Sequence, residues 1–192
     1  ERTAIRRWLL GQQWQRAHPS TGAAAGGWAW TDLPGGVPDA DDTPGAILAL
    51  LNLKSEAAET ELSPEVRTAL RNGVQWLLDL QNSNGGWPTF CRGWGTLPFD
   101  QSAADISAHV IRALQAWLAT ESLAEEVSLR KRAERAIARS FRYLAAVQRA
   151  DGSWLPLWFG NQHIKNDENP VYGTARVLAA YATAERCGSS EA

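Results

Sequence analysis

Apolar residues recur three and four positions apart along most of the chain, the spacing that places them on one face of a helix. This pattern predicts helices over residues 3–14, 44–54, 64–81, 103–119, 125–148 and 173–186. Ser63-Pro64 supplies the third with a capping hydroxyl followed by a proline in its first turn. No run of four or more residues alternates as a strand would. The polar stretches "KSEAAETELS" and "TESLAEEVS" read as connections between helices. The expected fold class is all-α.

The helices belong to a repeated unit. "WLLGQQ" leads to "GGW" at Trp28, "WLLDLQNSNGGW" ends at Trp87 and "YLAAVQRADGSW" ends at Trp154. Each is an aromatic and leucine stretch, a glutamine, then a glycine turn closed by tryptophan. A second helix follows each turn, in "DDTPGAILAL", "DISAHVIRAL" and "YGTARVLAAY". Aligning Thr43, Ser107 and Thr174 brings Leu50, Leu114 and Tyr181 into register seven positions on. The unit is therefore helix, tryptophan turn, loop, helix. A glutamine at a helix end can donate to the last free carbonyls and accept the N–H of the following indole. On that reading the turn tryptophans are structural staples.

Composition narrows the function. The 192 residues include 10 tryptophans against 4 phenylalanines, a heavy use of a side chain whose N–H needs a partner when buried. A net charge of −2 and a pI near 6.0 leave no basic footprint for nucleic acid. Cys91 and Cys187 match no zinc or redox spacing and read as reduced thiols of a cytosolic or cytosol-facing protein. No apolar run approaches the roughly 20 residues that span a bilayer, and no signal peptide is evident. The chain starts at Glu1 and is helical in pattern from its first residues, as expected of one domain excised from a longer protein.

The chemistry concentrates in "GGVPDADDTPGAILAL", where Asp39, Asp41 and Asp42 crowd the start of the second helix. Asp42 or Thr43 as N-cap and Pro44 in the first turn explain part of this. One cap needs one side chain, and Asp39 and Asp41 are left over. Carboxyls this close cannot all ionise, so one of them keeps a proton at neutral pH. His109 stands two residues past Ser107, the residue aligned with Thr43, so acids and imidazole fall at corresponding helix starts.

These motifs together resemble the squalene-hopene cyclases, the class II triterpene cyclases. "WLLDLQNSNGGW" and "YLAAVQRADGSW" are similar to that family's glutamine-tryptophan repeat, and "PDADDT" to its Asp-X-Asp-Asp-Thr motif just downstream of "GGWAW". "DISAHVIRAL" and "WFG…VYGTARVL" resemble the segments beyond it, and the likeness runs from about residue 5 to 183. It implies an α/α toroid, here a partial barrel of six inner and six outer helices when whole, cyclising a linear polyprene such as squalene without a metal or cofactor. It assigns Asp41 as proton donor, Asp39 and Asp42 as its supporting carboxylates, and His109 as a cationic partner hydrogen-bonded to the acid. Asp105 is either a helix cap or a neighbour behind the acid. Trp158 and Tyr172 match cavity aromatics, whose ring faces stabilise carbocations by about 0.5–2 kcal/mol each. The family's setting is cytoplasmic and peripheral to the membrane, through parts of the chain not present here, and this portion alone is not expected to turn over.

Two departures bear on the product. The stretch "PTFCRGWGTLPFDQSAA" is shorter than the family's loop, and "NQHIKNDENP", residues 161–170, is an insertion carrying His163 and two acids toward the cavity mouth. Three other readings compete. A class II diterpene cyclase shares the acid chemistry. A protein prenyltransferase β subunit shares the barrel but needs converging zinc ligands, and Cys91, His109 and His163 lack that motif context. A non-catalytic barrel binding lipid or protein would keep the acids only as caps.

Overall fold

The computed structural model describes residues 1–33, 35–53, 62–90, 97–120, 123 and 126–188, with side chains to residue 185. All six expected helices are present: α1 Arg2–Gln12, α2 Asp42–Asn52, α3 Pro64–Leu80, α4 Ala104–Leu118, α5 Val127–Ala146 and α6 Pro170–Gly188. A short 3-10 turn, Lys165–Asp167, lies before α6. Among the described residues there is no strand, only an isolated bridge between Trp87 and Ala103. α4 packs against α2 on one side and α6 on the other, while α3 touches α1 and α5. The result is a double row, with α2, α4 and α6 in one and α1, α3 and α5 in the other.

The division follows from side-chain character. α4 buries Ile106, Val110, Ile111, Leu114 and Trp117 almost completely, whereas α5 carries several arginines, Lys131 and Glu134 and buries mainly Leu129, Ala133, Ala136, Tyr143 and Leu144. Helices apolar on most sides belong inside; those with one apolar stripe belong outside.

The turns are built alike in all three units. The indole N–H of Trp28 donates to Leu9 O at 2.8 Å, that of Trp87 to Leu77 O at 2.7 Å, and that of Trp154 to Leu144 O at 2.7 Å. Each indole therefore satisfies one of the carbonyls that a helix end leaves open. The backbone N–H of the same tryptophans donates to Thr43, Ser107 and Thr174 hydroxyls at 2.9, 2.9 and 3.1 Å, so the aligned hydroxyl residues do the same work. Outer helix, turn and inner helix are stapled at one residue.

The glutamines act differently from expectation. None accepts the indole N–H. Gln13 Nε2 donates to Gly26 O and to Ala69 O on α3, at 2.8 and 2.9 Å. Gln81 Nε2 donates in the same way to Gly85 O and to Ala136 O on α5, again at 2.8 and 2.9 Å. They join each turn to the next outer helix, while the indole serves its own helix. Gly85 is required by the same approach: its φ is +93°, and a Cβ there would lie 2.6 Å from Arg139 O on α5. In the third unit Gln148, among the described residues, makes only the turn bond, to Gly152 O at 2.8 Å.

α6 begins at Pro170, three residues before the predicted 173. Asn169 Oδ1 accepts the Tyr172 N–H at 3.2 Å and Asn169 O accepts from Gly173, so an asparagine cap with proline behind it opens the helix early. This places Tyr172 in the first turn of α6. Cys91 lies outside the described residues, as does the Cys187 side chain.

Candidate acid site

The acid motif caps α2, and Asp39 is the capping residue. Its Oδ1 accepts the Asp41 N–H at 2.9 Å and the Asp42 N–H at 2.7 Å. This corrects the expectation that Asp42 or Thr43 caps: Asp42 is the first helical residue, and the Thr43 hydroxyl is taken by Trp28. Asp39 is 1% exposed, and its Oδ2 is buried with no hydrogen-bond partner. An unpaired buried carboxylate oxygen is costly unless it carries a proton. Burial, and then the Asp42 charge, push the Asp39 carboxyl up to about 8 against the pull of the two N–H donors.

Asp41, free of the cap, points to α6. Its Oδ1 lies 3.5 Å from Arg176 Nη2. Burial raises the Asp41 carboxyl above its ordinary range; Arg176 is the largest opposing influence, and Asp42 adds to the rise. Asp105, in the first turn of α4, is 1% exposed and accepts the Leu157 N–H at 3.3 Å. Its carboxyl is also raised, by burial first and against backbone N–H donors that include Leu157 and Ile106, with the Asp41 charge adding to the rise. Asp105 thus ties the loop before α6 to α4 and feels the acid electrostatically. Of the two roles expected of it the cap is not seen, for α4 opens after Ala103 with no side-chain cap bond.

His109 lies one turn beyond Asp105 on α4 and faces Gly45 of α2, where a Cβ would sit 3.7 Å from its Nε2. It is not the cationic, hydrogen-bonded partner expected. Burial, then Arg176 and Arg112, push it down to about 3, so it is neutral at ordinary pH. Its Nδ1 is buried without a hydrogen-bond partner. The cation in ion-pair contact with Asp41 is Arg176, four residues after Tyr172 on α6.

The two aromatics are both at the site's edge. Trp158 is 46% exposed and donates its indole N–H to Thr89 Oγ1 at 2.7 Å. Thr89 O in turn accepts the Ala40 N–H at 2.8 Å, so one residue links Trp158 to the acid motif. The Tyr172 ring lies 5.0 Å from that of Phe159, and the Arg176 guanidinium carbon is 5.8 Å from the Tyr172 centroid. The Tyr172 hydroxyl is raised by burial; Arg176 opposes, and Asp41 and Asp105 add. The three inner helices therefore deliver Asp39, Asp41 and Asp42, then Asp105 and His109, then Tyr172 and Arg176 to one place.

The insertion does not join them. His163 and Asp167 are exposed, and Glu168 turns away to pair with Arg149 at 2.6 Å. Sequence reasoning missed Arg176 and Thr89. The spacing of Arg176 from Tyr172 places both on one face of α6, but nothing in the sequence sets that face against Asp41. Among the described residues no three His, Cys, Asp or Glu side chains are grouped to hold a metal ion. Nor is any helix long and apolar enough to cross a membrane.

Comparison with known proteins agrees with this all-helical double row. The family model of the squalene-hopene cyclase C-terminal domain matches residues 4–191. An enfumafungin synthase of Hormonema carpetanum is 28% identical over 170 residues, covering 82% of this chain and 12% of its own. A squalene-hopene cyclase of Schizosaccharomyces japonicus is 30% identical over 168 residues, 81% of this chain and 22% of its own. That of Alicyclobacillus acidocaldarius is 27% identical over 191 residues, 90% of this chain and 26% of its own. The chain thus spans about a quarter or less of the length of these relatives. Its helices form part of an α/α toroid, and the chain belongs to the squalene-hopene cyclase C-terminal domain family.

Proposed function

We propose that this chain carries the acid end of a class II terpene cyclase that protonates and cyclises a linear polyprene such as squalene. The observation that supports it most is Asp41. The cap accounts for Asp39 and the loop bond for Asp105, but among the described residues no hydrogen bond calls for the Asp41 carboxyl, which faces Arg176 of α6.

The chemistry follows from that placement. An isolated alkene is a very weak base, so its acid must be strong, yet must still hold a proton when the substrate arrives. Burial and neighbouring carboxyls favour the protonated acid, and Arg176 favours the carboxylate that transfer leaves. The Asp41 O–H proton forms a C–H bond with the terminal alkene carbon, and the O–H electron pair stays on Asp41. The positive charge passes to the more substituted carbon, where the next double bond attacks. Loss of a proton at the end of the cascade makes the net reaction an isomerisation. Trp158 and Tyr172 present ring faces to the migrating charge.

The relatives' printed names, squalene-hopene cyclase among them, support a triterpene substrate. Such a substrate dissolves in lipid, so the complete protein works at a membrane surface, with other segments completing the cavity wall. The test is the full-length protein in detergent with squalene, wild type beside Asp41→Asn, analysed by gas chromatography and mass spectrometry. A cyclic triterpene from wild type alone is expected. Equal product from the Asn variant, or no product from either, overturns the reading and favours a lipid- or protein-binding module.

A further inference from the structure

We propose that Arg176 is the positioning residue for Asp41: its guanidinium holds the carboxylate by ion pair and favours the charge that proton transfer leaves there, the part expected of His109. The effect on turnover rests on the function proposed above; the ion pair does not.

The geometry carries the assignment. Arg176 Nη2 is 3.5 Å from Asp41 Oδ1, and among the described residues no other cation is in ion-pair contact with this carboxyl. The Arg176 side chain is only 24% exposed, so water screens the pair less than it would at the surface. Its guanidinium carbon lies 5.8 Å from the Tyr172 ring centroid, a cation–π contact within the same helix. Its Nε is buried with no hydrogen-bond partner, so the charge is not shared out to other acceptors through that atom.

The other groups that face Asp41 either oppose this effect or are neutral. Asp42 on its own helix, Asp39 from the preceding loop and Asp105 from α4 all favour a proton on Asp41 when they are ionised. The Tyr172 hydroxyl from α6 is neutral at working pH, and His109 from α4 is kept neutral by burial and by Arg176 and Arg112. A neutral imidazole with no hydrogen bond to the acid cannot stabilise the carboxylate. When Asp41 gives its proton to an alkene carbon, the negative charge left behind already faces Arg176. No counter-ion has to move during the step, which is the economy of a preorganised site.

The pair is tested by titrating the Asp41 carboxyl in the full-length protein by carboxyl-13C NMR, with Asp41→Asn for assignment. Arg176→Gln should raise the Asp41 midpoint by about one unit, a tenfold weaker acid, and Arg176→Lys should recover most of that shift. His109→Gln should not raise it. An unchanged midpoint in Arg176→Gln overturns the proposal, and the Lys variant guards against a merely unfolded protein. The cyclisation assay then separates the two readings. Arg176→Gln should lower kcat about tenfold and move the limb where activity falls with rising pH upward with the NMR midpoint. A moved midpoint with an unmoved pH profile overturns the role in catalysis. Wild type without turnover sinks the proposed function and leaves the ion pair to stand or fall on the NMR alone.

Discussion

Asp39 gives the sharpest quantitative test, because two physical effects on one side chain predict opposite outcomes. As a helix cap accepting N–H groups from Asp41 and Asp42, it should favour the carboxylate. As a group 1% exposed, with Asp42 adjacent and one oxygen unpaired, it should favour the acid. The structure puts burial ahead, with a folded value of about 8 against the 3.8 of an ordinary aspartate. Folding then takes up a proton between those two values. The unfolded chain binds fewer protons there than the native one, so stability falls as pH rises through the window and is regained on acidification. One such group changes the unfolding free energy by up to about 1.4 kcal/mol per pH unit. Asp39→Asn keeps the Oδ1 acceptor and cannot ionise, so it removes this slope. Its amide also places N–H donors where Oδ2 now sits, a penalty that does not vary with pH. The stability of Asp39→Asn relative to wild type should therefore improve by about 3 kcal/mol between pH 5 and pH 7, measured by urea unfolding at each pH. A difference that stays flat over that range, with the variant less stable throughout by the roughly 0.5–2 kcal/mol of a lost cap, refutes the reasoning and returns Asp39 to a plain ionised cap.

Two further outcomes follow from the same geometry. His109 is about 3 when folded against the 6.5 of an ordinary histidine, so it costs stability as pH falls from 6.5 toward 3; His109→Gln should abolish that acid-side loss in the same urea series, a trend of opposite sign to that of Asp39. Gln81→Ala removes two buried hydrogen bonds, one of them to α5, and should cost about 2–3 kcal/mol, whereas Gln148→Ala removes one exposed turn bond and should cost under about 1 kcal/mol; equal costs would show that the bond to the next outer helix is not what matters.

The repeat is legible because it is local. Glutamine, glycine and tryptophan recur at similar offsets, and apolar spacing fixes six helices without knowledge of their neighbours. Even there the hydrogen-bond partners are not: the sequence pairs Gln81 with Trp87, which are close along the chain, whereas folding pairs Gln81 with Ala136 across to α5. A chain-local reading cannot see that the carbonyl nearest in space lies on the next outer helix. The early start of α6 has a different cause. Asn169-Pro170 is a good cap signal, but it stands at the end of a polar insertion whose composition masks it.

The acid site divides along the same line. Its carboxyls can be found because crowding is visible in sequence, and Asp105 and His109 because repeat alignment places them at the equivalent helix start. Which acid caps and which is free cannot, since that depends on the direction in which the chain enters α2. Asp39 reaches forward to the N–H groups of Asp41 and Asp42, so the residue that seemed to lack a structural job has one. That assignment sharpens the chemical argument, for it gives Asp39 a structural task of its own and leaves the Asp41 carboxyl as the one free of the cap. Nor can the sequence choose between cations. An imidazole beside an acid motif is the natural partner on paper, but an apolar environment penalises a weakly basic histidine far more readily than an arginine, which stays charged in proteins. With His109 and Arg176 both near the acids, burial selects the arginine to carry the positive charge, and its repulsion helps to keep the histidine neutral.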